Sequence, residues 1–289
     1  VMININTNYA AAFASNAAKR AATGVENAME RLSTGSRINY ARDDAAGLAI
    51  ATRLESEVQS LVMASRNAAN AQSMLDTTDG ALAETHSVLI RMRELAVQAS
   101  NGTLDDTDRA ALDAEFQQLE SEIDRINSNT SFAGVSLFDG NSQTFHIGTA
   151  NTDSDKVSHT FTSLAAHQLD LDSFGPNDTD NSGGSDDVVR DLTTADNAQA
   201  MLGEIDTAIT TVSTERGNLG ALSNRLDSTI ANLDQIGVNL TASKGRIQDA
   251  DFAAESANLA RTQVLQQAAT AMLAQANASK GNVLSLIQN

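Results

Sequence analysis

From Leu202 to Leu240 the chain keeps one unbroken rhythm. Taken alternately three and four residues apart, it reads Leu202, Ile205, Ile209, Val212, Arg216, Leu219, Ser223, Leu226, Ile230, Leu233, Gly237 and Leu240. Nine of these twelve positions are aliphatic, a period of 3.5 that suits a coiled-coil helix and no strand. At 1.5 Å per residue the run is about 58 Å long, well beyond an ordinary globular helix. The transfer energy of nine aliphatic side chains falls far short of the entropy of ordering so long a segment. Such a helix does not stand alone, and the rest of the chain must supply its partners.

Composition agrees. Among 289 residues there is one proline, Pro176, no Trp, no Cys, and only 3% aromatic residues. A chain so poor in breakers and ring side chains, and rich in Ala, Leu, Gln and Asn, reads as long helices. Lack of cysteine excludes a disulfide framework and any thiolate metal site. No window approaches 18 uninterrupted apolar residues, so no membrane insertion is expected. The first residues lack a basic stretch followed by an apolar one; if the protein is extracellular, it is expected to leave without a cleaved signal peptide.

Charge is unevenly placed. Residues 1–42 hold five basic and two acidic side chains, and residues 250–289 hold two of each. Taking that +3 and zero from the total of −18 leaves −21 on residues 43–249. A body of that charge repels phosphate, so no nucleic acid is expected as partner. Ala-rich, weakly charged ends read as surfaces meant for burial, and their pairing at the two termini suggests self-association.

Along the chain, Asn8 is a candidate N-cap for a small-residue helix from Tyr9 to about Leu32, with Tyr9, Phe13, Ala17, Ala21, Val25, Ala28 and Leu32 as its stripe. Few of these are bulky, and Gly24 weakens the helix further, so in isolation it should fray. Gly35 breaks it. A second helix restarts with Asp43 or Asp44 as N-cap and Gly47 allowing close packing. Its seam is Leu54, Val58, Leu61, Ser65, Ala68, Gln72 and Leu75, continuing through Leu82 and Leu89 to a stop at Asn101–Gly102. Asp105 to Asp108 cap a third helix with the seam Leu112, Phe116, Leu119, Ile123 and Ile126. Together with 202–240 these make a three- or four-helix antiparallel bundle.

From Asn127 the period changes. The pieces SFAGVSLFDG and TFHIG within 131–148 are short β-branched and aromatic runs between glycines, the marks of hairpins. Residues 149–191 are polar, with nine acidic residues from Asp153 to Asp191, and read as a surface excursion rather than core. Asp178, Asp180 and Asp186 lack the spacing of a calcium loop, so no metal site is expected. Beyond the long heptad, Gly245 is expected to break the helix and Asp249 or Asp251 to cap the next. That last helix carries Phe252, Leu259, Val264, Leu265, Ala268, Met272, Leu273 and Ala276, with Gln263, Gln266, Gln267, Gln275 and Asn277 on a polar, nearly uncharged face.

Long stretches of this sequence resemble bacterial flagellin, the subunit of the flagellar filament. In the N-terminal half they are LSTGSRINYARDDAAGLAIA (32–51), RMRELAVQASNGT (91–103) and EFQQLESEIDRI (115–126). SFAGVSLFDG resembles the family's T-x-F-N-G-x-x-L-L-x-G, with Ala133 and Phe138 as departures. NRLDSTIANL (224–233), DADFAAESANLARTQVLQQAATAMLAQAN (249–277) and VLSLI (283–287) carry the C-terminal half.

The resemblance implies a mainly α fold: a long antiparallel coiled-coil or helical-bundle rod with a small β-hairpin region, plus paired terminal helices. Residues 1–40 and 248–289 would form a discontinuous inner domain, and 41–247 the rod, with a hairpin tip and a short variable loop at about 127–195. It implies a structural subunit that self-assembles into a helical filament for motility, its terminal helices folding on polymerisation. Assembly would run through Tyr9, Phe13, Val25, Leu32, Phe252, Leu259, Leu265, Leu273 and Leu284. Gln263, Gln266, Gln267 and Asn277 would suit the wet wall of an export channel. Implied partners are further copies of the chain, an export chaperone on 250–289, hook-associated and cap proteins, and, for the monomer, the flagellin-sensing Toll-like receptor of animals, at positions matching Arg91, Leu95 and Glu115.

Other readings are weaker. The histidines, His86, His146, His159 and His167, show no H-E-x-x-H spacing, and neither a nucleophile elbow nor a phosphate loop is present, so no catalysis and no cofactor are expected. A hook–filament junction protein shares the two-ended design but would form a short collar; the length and the LAQAN…VLSLI ending favour the filament. Presentation of 150–190 as a glycan-bearing surface would add to that role, with Asn177–Asp178–Thr179 the sequon.

Overall fold

The computed structural model describes residues 7–150, 152–165, 169 and 191–288, without the side chains of 280–288. In order the elements are α1 (Tyr9–Thr34), α2 (Ala45–Ala99), α3 (Asp106–Asn129), β1 (Ser131–Phe132), β2 (Val135–Ser136), β3 (Ser142–His146), β4 (Lys156–Thr160), α4 (Ala195–Gln248) and α5 (Phe252–Gln288). They fall into two compact units, one of Val1–Gln59 with Val238–Asn289 and one of Ser60–Gly237, so the division passes inside α2 and α4. Asp178, Asp180, Asp186, His167 and the sequon at 177–179 lie outside the described residues.

In the terminal unit α1 starts as its sequence directs. The Asn8 carboxamide oxygen accepts from the Ala11 amide at 3.1 Å, and Gly35 closes the helix at φ 70°, its amide donating to the Arg31 carbonyl. That left-handed residue satisfies a carbonyl the helix end leaves open, at a backbone angle only glycine adopts freely. The chain then runs as a short clasp against the stretch before α5. Ser36 and Asp249 form an antiparallel bridge, the Arg37 amide donates to the Gln248 carbonyl at 2.6 Å, and the Ala250 amide to the Gly35 carbonyl at 2.9 Å. Arg37 Nη2 adds a bond to the Ile247 carbonyl. Ile38 is buried beneath, and Gly47 leaves it room: a Cβ there would sit 2.7 Å from Ile38 Cδ1. Asp44 caps α2, its Oδ1 accepting from the Gly47 amide.

One expectation fails here. Gly245 does not end α4, which runs on to Gln248. A lone glycine inside a helix costs only about 1 kcal/mol, less than the hydrogen bonds lost by stopping. The break comes at Asp249–Asp251, where Asp251 Oδ1 accepts from the Ala253 and Ala254 amides and opens α5.

In the second unit every seam position of α4 within it, from Leu202 to Gly237, is buried or half-buried. The α2 seam from Leu61 to Leu89 and the α3 seam from Leu112 to Ile126 are enclosed likewise. Leu75, Leu82, Leu89, Phe116, Ile123 and Ile205 belong to one continuous core. The polar seam residues are matched rather than tolerated. Arg216 Nε donates to Asp79 Oδ1 at 2.7 Å, and Gln72 reaches Ser223 Oγ at 3.4 Å and Asp227 Oδ1 at 2.8 Å. With Ser65–Asp234 and Arg93–Asp206, these pairs descend α4 as they climb α2, which fixes an antiparallel register.

The hairpins cap this core. β1 and β2 pair through Phe132↔Val135, with Ala133 at φ 52° and Gly134 at φ 85° as the turn. Two positive φ angles in a two-residue loop make a type I′ turn. β3 pairs antiparallel with β4 from Ser142↔Thr160 to His146↔Lys156. The expectation of pure surface for 149–191 is therefore wrong at its start: Lys156–Thr160 is a strand, and Val157, Phe161, Leu164 and Leu169 are buried in the core. The inward face, Val157, His159, Phe161, has a polar residue in its middle, which hid the alternation. His159 is satisfied there by Glu215 Oε1 at 2.9 Å, with its ring edge-on to Phe161.

Candidate assembly surfaces

α1 and α5 pack side by side and antiparallel within the terminal unit. Asn8 Nδ2 donates to the Ala276 carbonyl at 3.1 Å near one end, and Arg31 lies 3.8 Å from Glu255 at the other. The buried residues of α1 are Ala14, Ala21 and Ala28, spaced by sevens. On α5 Ala269 is buried, and Glu255, Leu259, Thr262, Gln266, Leu273 and Ala276 are half-buried in step with it, again in threes and fours. Small side chains let the two backbones approach closely. At Gly24 a Cβ would sit 2.9 Å from Thr262 Cγ2, so this glycine is a contact and not merely a weak helix former.

What such a pair leaves outside is its large side chains. Tyr9 is 72% exposed, Phe13 70%, Phe252 67% and Leu265 53%. Val25, Leu32, Leu259 and Leu273 are half-buried, and the side chain of Leu284 lies outside the described residues. Sequence reasoning placed Tyr9 and Phe13 on one stripe with Ala21 and Ala28. The structure separates them, with alanines inward and aromatics outward. The polar face of α5 also splits: Gln263, Gln267 and Asn277 are exposed, whereas Gln266 keeps step with the seam facing α1 and is half-buried.

On the second unit Arg91 and Glu115 meet. Arg91 Nε and Nη2 both donate to Glu115 Oε1, at 3.0 and 2.8 Å, and Nη1 donates to Glu94. Glu115, then Glu94, hold the guanidinium even above its usual range. The pair sits in solvent, so it contributes little to stability. Leu95 is 1% exposed and part of the core, which removes it from any exposed surface formed by this fold. It follows Arg91 by four residues, but it completes the inward row of Leu89, Met92 and Ala96. Among the described residues no helix is long and apolar enough to cross a membrane, and no group of three or more acidic or histidine side chains is placed to hold a metal.

Comparison with known proteins gives these surfaces a context. The family model for the bacterial flagellin N-terminal helical region matches residues 5–143, and that for the C-terminal helical region matches 202–287. The chain is 42% identical to a flagellin of Halalkalibacterium halodurans over 265 residues, 91% of this chain and 92% of that one. It is 40% identical to a flagellin of Bacillus subtilis over 99% of this chain and 100% of that one. A solved structure described as a flagellar hook-associated protein of Vibrio parahaemolyticus shares the fold, with a TM-score of 0.57 and 18% identity over 72% of this chain and 100% of that one. The paired terminal helices, the heptad runs and the first hairpin lie within the matched regions: this chain belongs to the bacterial flagellin family.

Proposed function

We propose that α1 and α5 are the surfaces through which this flagellar filament subunit polymerises, and that they order fully only when neighbouring copies bury them. The chain is a structural component of an extracellular filament. The observation that carries the assembly reading is the inversion in the terminal unit, where alanines are enclosed and Tyr9, Phe13, Phe252 and Leu265 face outward. Large aromatic and aliphatic groups left in water gain most from a partner, and folding coupled to that burial keeps the free chain soluble until it docks. Exposed Gln263, Gln267 and Asn277 are hydrated without charge and suit a wet channel wall. Gln266 drops out of that group.

The apolar α5 is the natural hold for an export chaperone before secretion, and the N-terminal segment would serve as the export signal. Hook-associated and cap proteins would meet the two ends of the polymer. Recognition of the monomer by the flagellin-sensing receptor would rest on Arg91 and Glu115, without Leu95. No catalytic or cofactor role is assigned.

Negative-stain electron microscopy of purified monomer mixed with sonicated filament seeds tests the reading. Long filaments extending from seed ends are expected. Capped seeds or short collars would move the chain to a junction role.

A further inference from the structure

The turn between α2 and α3 carries the single Asn–Gly pair of the chain, Asn101–Gly102. Both residues are exposed, and a Cβ on Gly102 would meet nothing within 4 Å. Asn101 is past the end of α2, and among the described residues the Gly102 amide donates to no protein acceptor, so it is free to react. The Asn101 side chain curls back along the turn, its Oδ1 accepting from the Thr103 amide at 3.3 Å. That donor polarises the side-chain carbonyl and stabilises negative charge developing on Oδ1 when Cγ is attacked.

Two other acid–glycine pairs are shielded by their surroundings. Asp79–Gly80 lies inside α2, where helical geometry holds the glycine amide in the ladder. Asp139–Gly140 turns at φ 76°, and its carboxylate accepts from the Asn141 amide and side chain. Those bonds keep Asp139 ionised and hence a poor electrophile.

We infer that Asn101 is a built-in deamidation site. The Gly102 amide nitrogen, giving its proton to solvent base, attacks Asn101 Cγ. The Cγ–Nδ2 bond breaks, ammonia leaves, and a succinimide joins the two residues. Water then opens the ring at either carbonyl to give aspartate or isoaspartate at 101. No oxidant, metal or second protein takes part. Each event adds one negative charge at an exposed turn. The isoaspartate product also puts Cβ into the main chain and moves the Asn101 carbonyl, which accepts from Arg109 Nη2 at 2.9 Å and from the Leu104 amide at 3.4 Å. Arg109 is buried and holds the Ala99 carbonyl as well, at 3.0 Å. The modification therefore loosens the clamp that seats the start of α3 on the end of α2.

The test is ageing of the full-length chain in mildly alkaline buffer, both native and unfolded in urea, followed by peptide mass spectrometry and enzymatic methylation of isoaspartate. The native chain is expected to gain aspartate and isoaspartate first at 101, and to lose that signal in Gly102→Ala, which the open space accommodates. Circular dichroism of the variant confirms that its fold is kept. A native chain that stays amidated at 101 while the unfolded chain reacts there would overturn the inference, as would an earlier reaction at any other asparagine.

Discussion

The two units solve one problem in opposite ways. In residues 60–237 the heptad positions carry Leu, Ile and Phe, and those side chains are enclosed by the unit's own helices and hairpins. In the terminal unit the buried residues of α1 are all alanine, and Tyr9, Phe13, Phe252 and Leu265 face solvent. A leucine withdrawn from water contributes roughly 1.5–3 kcal/mol, and an alanine much less. The first unit has what it needs to fold by itself. The second holds back its largest apolar groups, and the completion of its core is left to another molecule.

The strongest way to break this comparison is to remove residues 250–289. We expect polymerisation to vanish entirely while the thermal transition of 60–237 persists, checked by sedimentation and circular dichroism. Filaments grown from the truncated chain would refute it. A sharper version sets one substitution in each unit against the other. Leu82→Ala, in the closed core, should cost the monomer about 2–5 kcal/mol in denaturant unfolding. Phe13→Ala should leave monomer unfolding within about 0.5 kcal/mol, as surface changes do, yet raise the concentration needed for filament growth.

Gly24→Ala tests the close approach of α1 to α5. The added methyl meets Thr262 Cγ2, and overpacking of this kind costs about 1–3 kcal/mol. Assembly should weaken, and Thr262→Ser in the same chain should restore it by removing that methyl. If Gly24→Ala instead strengthens assembly, its helix propensity has outweighed the contact. Ala133→Asn is a smaller and opposite change. Ala133 holds φ 52° in the I′ turn, where Asn is well suited, so the variant should gain up to about 1 kcal/mol in thermal unfolding.

Smallest is the response to acid. Asp206 is held below its ordinary value chiefly by the Arg93 hydrogen bond, and Glu55 chiefly by Lys244. A carboxyl depressed in the folded state stabilises above its unfolded value and loses that contribution as pH falls through the folded one. The loss here begins in the ordinary carboxylate range and finishes below it. Both pairs are exposed, so salt should mute the effect. Arg93→Gln should flatten the acid side of a plot of melting temperature against pH for 60–237. An unchanged slope would show that the Arg93–Asp206 pair does not contribute.

Much of this was legible in the residues. The α4 heptad named its buried side in advance, because a period of 3.5 sustained over eleven steps leaves one face to enclose. Asn8, Asp105 and Gly35 announced their caps because cap chemistry is local. Gly245 misled, since a single glycine changes a helix by less than the packing around it. The inward row of Val157 and Phe161 was masked by His159 between them, whose acceptor lies 56 residues away on α4. On α1 the stripe was read from three- and four-residue spacing that starts at the large residues Tyr9 and Phe13. An alanine seam inverts that choice, and only the partner helix reveals which face is inside. Leu95 was assigned to a surface by the family resemblance alone, with Arg91 and Glu115; the helical row it completes is enclosed in this structure.

The clasp between Gly35–Arg37 and Gln248–Ala250 has a consequence for how such a chain can change over generations. It pins α1 and α5 together at one end, and from there the two helices count away in step, Arg31 beside Glu255 and Asn8 beside Ala276. Deleting one residue between the clasp and Ala28 would turn everything distal by about 100° and shift it by about 1.5 Å. Ala14, Ala21 and Ala28 would leave the seam and larger neighbours would enter it. Tolerated length changes in the terminal pair are thus confined to whole heptads made in both helices at once, and single insertions or deletions are free to accumulate only in loops away from the clasp.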